Sequence, residues 1–476
     1  MHGRRSSEHA VMKVSAMILL VVSTLASASY VPTQVIVKFK PDVPQEVRNQ
    51  IISLYSCSVA DKCMYADLHL LEIPESQTPE QMISILQNFD EVEYSDLNHI
   101  VKTLMVPNDP LYSFQWNLHD DTDGGVNMEK AWDIQTGNPN VVIAVLDTGV
   151  AYENFGIYRQ APDLAQTKFV QGYDFVNNDS HPNDDFGHGT QVTGVIAQST
   201  NNNIGVAGVA FNCSIMPVKV MGSDGTGTVF DIVDGIYYAT ANDANVINMS
   251  LGTDSNSLVM EQAVQYAWSH NVTIVCAGGN NYEDDNEPSY PAAYDKYCIA
   301  VGATRYDKQR AYYSNAGSYI DIVAPGGDGN VDQNKDGYPD GILQQTFDDN
   351  PEVFNYYFEE GTSFSSPHAA GAAGLLISKG VKKPDKVREA LEKSAIDLGL
   401  AGPDKEYGWG LLNVLNALKY KITGDLTGDL EVGNNDLAVF SIDWLQGNKN
   451  SLQADFNGDG VVNFIDYALM IDNWGK

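Results

Sequence analysis

The stretch VVIAVLDTG, residues 141–149, decides how the rest of the chain is read. Its aliphatic residues run without alternation and stop at Asp147, and a strand apolar on both sides belongs in a parallel sheet covered on both faces. Five further runs have the same character: SIMPVKVM (214–221), VINMSL (246–251), TIVCAGG (273–279), CIAVGA (298–303) and IDIVAPG (320–326). Between them, GTQVTGVIAQ, VFDIVDGIYYATAND and VMEQAVQYAWSH carry helical spacing. The alternation predicts an α/β fold with a doubly wound, mainly parallel sheet. Ligands bind such sheets where strands end and loops turn into helices, which is where Asp147 stands.

Asp147 could close a strand as an Asx turn. Asp-Thr-Gly also occurs in aspartic proteases, but a single-chain enzyme of that kind needs two such aspartates sharing a proton, and the tripeptide occurs once here. A second stretch, FEEGTSFSSPHAAG (358–371), holds Ser363, Ser365 and Ser366 ahead of a small-residue run. It reads equally as a helix N-cap and as the seat of a nucleophile. A serine hydroxyl becomes a nucleophile only with a base in reach and a group that orients the base. His188, between two glycines at the start of a predicted helix, is a histidine that core packing does not explain. His368 lies five residues after Ser363, about 140° around a helix at roughly 100° per residue, and faces away from it, so a structural role is expected. Asn280 follows a strand that ends in glycines and could donate to an oxyanion.

At 476 residues the chain has room for two or three domains. Arg4, Arg5 and Lys13 precede the apolar run MILLVVSTLA (17–26) and the small residues Ala26-Ser27-Ala28, the pattern of a secretory signal peptide over 1–29. That run is too short for a membrane span. The net charge, 28 − 62 = −34, argues against nucleic acid or an anionic membrane as partner and suits an extracellular or calcium-holding protein. Five cysteines exclude a disulfide-dense scaffold, although Cys276 and Cys298 could bridge. Residues 30–106 read as a small α+β unit in which strand and helix patterns repeat, with a Pro-containing connector over Met105–Ser113. The last 56 residues contain a duplication: DLTGDLEVGNNDLAVFSIDW from Asp425 and DFNGDGVVNFIDYALMIDNW from Asp455.

The motifs AVLDTGV, GHGTQVTGVIA, VINMSLG, AGGN, YPAAY and GTSFSSPHAAG stand in this order over 107–420, and there the chain resembles the subtilase (subtilisin-like serine protease) family. The resemblance implies a serine endopeptidase acting on proteins or peptides, with Ser363 as nucleophile, His188 as base and then acid, Asp147 orienting it, and Asn280 with the Ser363 N–H as oxyanion hole. It implies Ser250, Leu251, Gly252 and Ala277, Gly278, Gly279 as edges for an extended substrate, with Ser289 lining the pocket before the cut. Asp284 and Asp285 nearby would favour basic residues there. A non-catalytic scaffold or adhesion component keeping this fold is the rival reading, disfavoured because Asp, His and Ser are all present. The family more often has Met then Ala where this chain has Phe364 and Ser365, which is expected to alter the cleft while activity survives.

Calcium is the cofactor implied. NNNIGVAGVA (201–210) is similar to the family's calcium loop, pointing to Asn202, Ile204 and Val206, with Asp109 and Asp163 as outside ligands. An insertion over about 326–361 contains DQNKDGYPD, whose Asp332, Asn334, Asp336 and Asp340 alternate around Gly337 as in an oxygen-liganded loop. Residues 30–106 resemble the family's inhibitory propeptide, with a cut expected between Thr103 and Asn108. The tail, 421–476, resembles an all-α dockerin with two calcium loops and so implies a cohesin-type partner. The second loop offers Asp455, Asn457, Asp459, Asn463 and Asp466; the first offers Asp425, Thr427, Asp429 and Asp436, but has Leu430 where glycine is wanted. A self-contained calcium domain is the alternative for the tail. A monomeric mature enzyme is expected.

Overall fold

The structure is a computed structural model that describes residues 30–63, 65–74, 76–100, 105–445, 453–457 and 461–475. The expected leader (1–29) lies outside these residues, as do part of the expected cut region and Asp459. The chain divides into two units after Thr103.

The N-terminal unit contains β1 (Tyr30–Phe39), α1 (Gln45–Leu54), β2 (Ser58–Lys62), β3 (Leu68–Glu72), α2 (Pro79–Leu86) and β4 (Val92–His99). The strands form an antiparallel sheet in the order β2-β3-β1-β4. Val35, Val37 and Phe39 point alternately inward from β1 and pack with Ile51, Ile52, Met82 and Leu86 of the helices. Thr78 and Gln81 cap α2 reciprocally, each side chain accepting the other's backbone N–H.

The second unit opens with α3 (Met128–Trp132) and β5 (Val142–Asp147), followed by the short β6 (Lys168–Phe169) and β7 (Tyr173–Asp174). Next come α4 (His188–Ala197), β8 (Ser214–Lys219), α5 (Val229–Ala241), β9 (Val246–Met249), α6 (Leu258–Ser269), β10 (Thr273–Ala277), β11 (Ile299–Thr304) and β12 (Ile322–Pro325). A hairpin, β13 (Ile342–Thr346) and β14 (Asn355–Glu359), precedes α7 (Thr362–Lys379), α8 (Pro384–Ser394) and α9 (Val414–Lys419); α10 (Asn434–Asp443) and α11 (Phe464–Ile471) form the tail. The main sheet is parallel, ordered β12-β11-β10-β9-β5-β8-β6, with β7 also pairing with β8. This is the expected fold: Ile143 and Val145 enter one core with α4, α7, α8 and α9, while Ala144 and Leu146 enter the other with α5 and α6.

The chain leaves β5 toward β8 and then crosses back to β9, so the order reverses around β5 and opens a crevice at its carboxyl end. α7 runs beneath the sheet and aims its N-terminus at that crevice. Its small residues permit this: a Cβ on Gly374 would meet Ile143 Cδ1 at 2.7 Å, and one on Gly371 would meet Val209 Cγ1 at 2.7 Å. The predicted strands overrun by about two residues at 250–251 and 278–279, where Leu251 and Gly279 leave the ladder to wall the crevice. The disulfide expectation is corrected: Cys276 and Cys298 are both buried free thiols, and Cys276 stands opposite Ala300 in the parallel register.

Candidate active site

Asp147 ends β5 with no exposed surface, and its Oδ1 accepts from His188 Nδ1 at 2.7 Å and from Thr148 N at 2.8 Å. His188 is the first residue of α4; Gly187 before it has φ 100°, a left-handed turn that glycine adopts without strain. The backbone approaches closely here, since a Cβ on Gly189 would lie 2.1 Å from Gly149 O. Asp184 organises the turn: its carboxylate accepts from Thr148 Oγ1, Phe186 N, Gly187 N, Thr190 N and Thr190 Oγ1, at 2.6–3.1 Å. Burial pushes the His188 pKa down, but the charge and hydrogen bond of Asp147 outweigh it, with Asp184 and Glu359 adding to them, and the net shift is upward.

Ser363 is the second residue of α7, in the turn whose N–H groups have no intrahelical acceptor. Gly361 ahead of it has φ 144°. Pro367, four residues further on, has no N–H to give the Ser363 carbonyl, and Ser250 Oγ donates to that carbonyl instead, at 2.7 Å. The Ser363 hydroxyl donates to Ser250 O at 3.2 Å. Asn280 Oδ1 accepts from Thr362 N at 2.9 Å and from Thr362 Oγ1 at 2.8 Å, which leaves its NH2 as the end free to donate into the crevice. Ser365 and Ser366 are buried, the latter 2.9 Å from Ser250 Oγ. His368 is buried between Phe364 O and Asn117 Nδ2, with burial lowering its pKa to about 4. Phe364, the departure from the family's usual methionine, packs in a cluster with Trp116, Val195 and Ile342, its ring 5.8 Å from that of His188.

Two cavities flank Ser363. One, of about 180 Å³, is walled by Leu251, Gly252, Ala277, Gly279 and Ser289. Its acids are Asp254 and Glu287; the expected Asp284 and Asp285 do not line it. The other, of about 400 Å³, holds His188, Phe364, Asp348, Glu359 and Glu360 and shares Asn280 and Ser363 with the first.

The residues expected to hold calcium gather in part: among the described residues the acids of the first tail loop close into a three-carboxylate cluster, whereas Asp332, Asp336 and Asp340 of the insertion do not. Asp163 is fully buried, accepting from Asn202 Nδ2 at 2.7 Å and Val206 N at 3.0 Å, and Asp109 accepts from Asn201 N at 2.9 Å. Burial pushes the Asp163 carboxyl up to about 6. Tyr356, from β14, donates to Asp163 Oδ2 at 3.3 Å and is an addition that the sequence did not suggest. In the insertion, Gly337 N reaches Asp332 and Gln333 N reaches Asp340, whose Oδ1 is buried without a partner. In the tail, carboxylate oxygens of Asp425, Asp429 and Asp436 lie within 4.8 Å of one another. The two copies are built alike: Asp436 Oδ1 accepts from Leu426 N and Thr427 N, and Asp466 Oδ1 from Phe456 N and Asn457 N. Leu430 takes the glycine position of loop 1 with φ 61°, buried in the core shared with α8 and α9, and Lys383 pairs with Glu431 at 2.7 Å.

A parallel α/β sheet whose strand ends gather an aspartate, a histidine and a helix-borne serine is the architecture of a serine hydrolase. The chain belongs to the subtilase family, whose profile matches residues 138–410. It is a subtilisin-type serine protease with an N-terminal prodomain of the fervidolysin kind, matched over 18–98. It is 35% identical over 395 residues to the thermophilic serine proteinase of Bacillus sp. (strain AK1), covering 82% of this chain and 88% of that one. Identity to thermitase of Thermoactinomyces vulgaris is 35% over 315 residues, 66% of this chain and 99% of that one. A solved protease of Pseudoalteromonas arctica superposes with TM-score 0.58 at 32% identity, covering 66% of this chain and 99% of its own.

His188 can accept a proton only when neutral, and its raised pKa holds that proton to higher pH, so activity is lost as pH falls through the raised value. The acid limb of kcat/KM on an uncharged peptide is therefore expected above the ordinary histidine value of 6.5. A limb at or below that value in a pH–rate profile would contradict this account.

Proposed function

We propose that the chain is a secreted, calcium-stabilised serine endopeptidase, made as a zymogen and carried by a tail that binds a cohesin-type protein. The reading rests on the 2.7 Å bond between His188 Nδ1 and Asp147 in the crevice that also holds Ser363. With Nδ1 committed to Asp147, the neutral ring presents Nε2 as a lone pair. Substrate entry turns the Ser363 hydroxyl from Ser250 O toward Nε2. Its oxygen attacks the scissile carbonyl as the proton passes to His188, and the oxyanion takes hydrogen bonds from Asn280 Nδ2 and Ser363 N. His188 then gives that proton to the departing amine, leaving an acyl-enzyme that water hydrolyses through the reverse steps. The backbone edges at 250–252 and 277–279 hold the substrate extended, through contacts that carry little side-chain information.

Domain limits follow from the same reading: leader 1–29, propeptide 30–106, peptidase 107–420, tail 421–476. Four oxygen-rich loops fit calcium by their donors. Buried Asp163 with Asp109, Asn202 and the carbonyls of Ile204 and Val206 would form one site, and the orphaned Asp340 oxygen with Asp332, Asn334 and Asp336 a second. The tail would form the third, through Asp425, Thr427, Asp429 and Asp436, and the fourth, through the matching Asp455, Asn457, Asp459, Asn463 and Asp466. Bound there, the ion would offset carboxylate repulsion and cross-link the loops. Exposed Phe464 and Ile465 at the start of α11, and the apolar hollow formed by Leu437, Phe440, Trp444 and Tyr467, suit a protein partner. No helix among the described residues is long and apolar enough to cross a membrane.

Replacing Ser363 by alanine is expected to lower kcat on the order of a millionfold and abolish fluorophosphonate labelling. Asn280→Ala is expected to lower kcat about 100- to 1,000-fold with the serine still labelled. No labelling of the processed wild-type chain would refute the enzyme. N-terminal sequencing of the mature protein should find a start between Thr103 and Asn108, and a start near Tyr30 would refute the zymogen. In Ser363→Ala protein, which cannot digest itself, calcium at about 100 times Kd should add about 2.7 kcal/mol of stability per site over a chelator control. Equal unfolding midpoints in the two conditions would remove calcium from the proposal.

A further inference from the structure

The cavity of about 400 Å³ on the His188 side of Ser363 has carboxylates at Asp348, Glu359 and Glu360 and no lysine or arginine in its wall. Its position relative to the reaction follows from the proton path. His188 hands its proton to the departing amine, so the residue after the scissile bond must sit beside the His188 ring. The smaller cavity, walled by the two backbone edges, then receives the residue before the cut.

The three acids differ in how far they are committed. Glu360 accepts from Tyr312 OH at 2.5 Å and from Gly329 N at 2.6 Å, so both its oxygens are engaged. Asp348 is exposed, two residues past the end of β13. Glu359 is the last residue of β14, held by antiparallel pairing opposite Ile342, exposed, and four residues before Ser363. Its charge reaches His188, being among the influences that raise that pKa. A rigid strand thus carries a carboxylate to the rim of the leaving-group cavity.

We propose that Glu359 selects substrates with lysine or arginine immediately after the scissile bond. This rests on the triad reading above and deepens it by naming a substrate class. The ammonium or guanidinium of such a residue meets Glu359 in the cavity, while a carboxylate there meets three like charges. Glu359 is open to water, which limits the preference to about 3- to 10-fold and makes it salt-sensitive.

The test is a set of quenched fluorescent peptides that differ only in the residue after the cut: Lys, Arg, Gln or Glu. Each is read as kcat/KM relative to the Gln peptide, at a pH above the acid limb. Wild type is expected to favour Lys and Arg about 3- to 10-fold and to disfavour Glu, with the spread shrinking as salt rises. Glu359→Gln should flatten the ratios and Glu359→Lys invert them. Ratios near one in a wild type that cleaves every peptide would overturn this inference and leave the triad standing. So would a basic preference that survives Glu359→Gln but disappears in Asp348→Asn. A wild type that cleaves nothing and takes no fluorophosphonate would bring down the triad reading and this inference together.

Discussion

A carboxylate with no exposed surface, at the end of a central strand, is the constraint from which the rest of the catalytic unit follows. Asp147 left alone would carry a large desolvation penalty, because an unpaired charge in that position costs several kcal/mol. The Thr148 N–H and the His188 ring relieve it, and both are fixed by other means. Asp184 ties down Thr148, Gly187 and Thr190 in one stroke, so the turn that starts α4 and the turn that ends β5 form one hydrogen-bonded block. The crevice is therefore set in place ahead of any substrate, as electrostatic stabilisation of a transition state requires.

The main sheet was legible because its strands are buried on both faces and spell continuous apolar runs. Asp147, His188, Asn280 and Ser363 stood out because each sits at the end of such a run or the start of a helix. Asp184 was harder to see. Its work is done by five short hydrogen bonds, none with a periodic signature, and the only trace is a carboxylate just upstream of a Gly-His-Gly turn. β6 and β7 are two residues long and have no period to detect. The β13–β14 hairpin was hidden because β13 buries Gln344 and Gln345 as polar partners of the neighbouring loops, so its sequence reads as a solvated insertion. Glu359, the last residue of β14, is hidden in the same way. The acids of the first pocket are Asp254 and Glu287 and not Asp284 and Asp285, because proximity in sequence to Ser289 does not decide which side chains face inward.

The small residues of α7 and the proline within it act together. Gly371 and Gly374 let the helix lie against Val209 and Ile143, while Pro367 frees the Ser363 carbonyl to be held by Ser250. The nucleophile is thus fixed from both sides, by packing below and by a hydroxyl from the neighbouring strand end. The residues that look like spare catalytic groups, Ser366 and His368, serve this fixation: one braces Ser250, and the other is a neutral buried link between α7 and Asn117.

Leu430, turned into the left-handed region and buried beside α8 and α9, joins the tail to the catalytic unit as a plug, with Lys383 and Glu431 as a latch. Only Tyr420 to Gly424 separate α9 from the first loop, too few for a slack leash. A partner gripping α11 would therefore carry the cleft as a fixed tool head rather than a tethered ball. The reach of the enzyme would then be set by the geometry of its mounting, and substrates would have to be presented at one orientation and height.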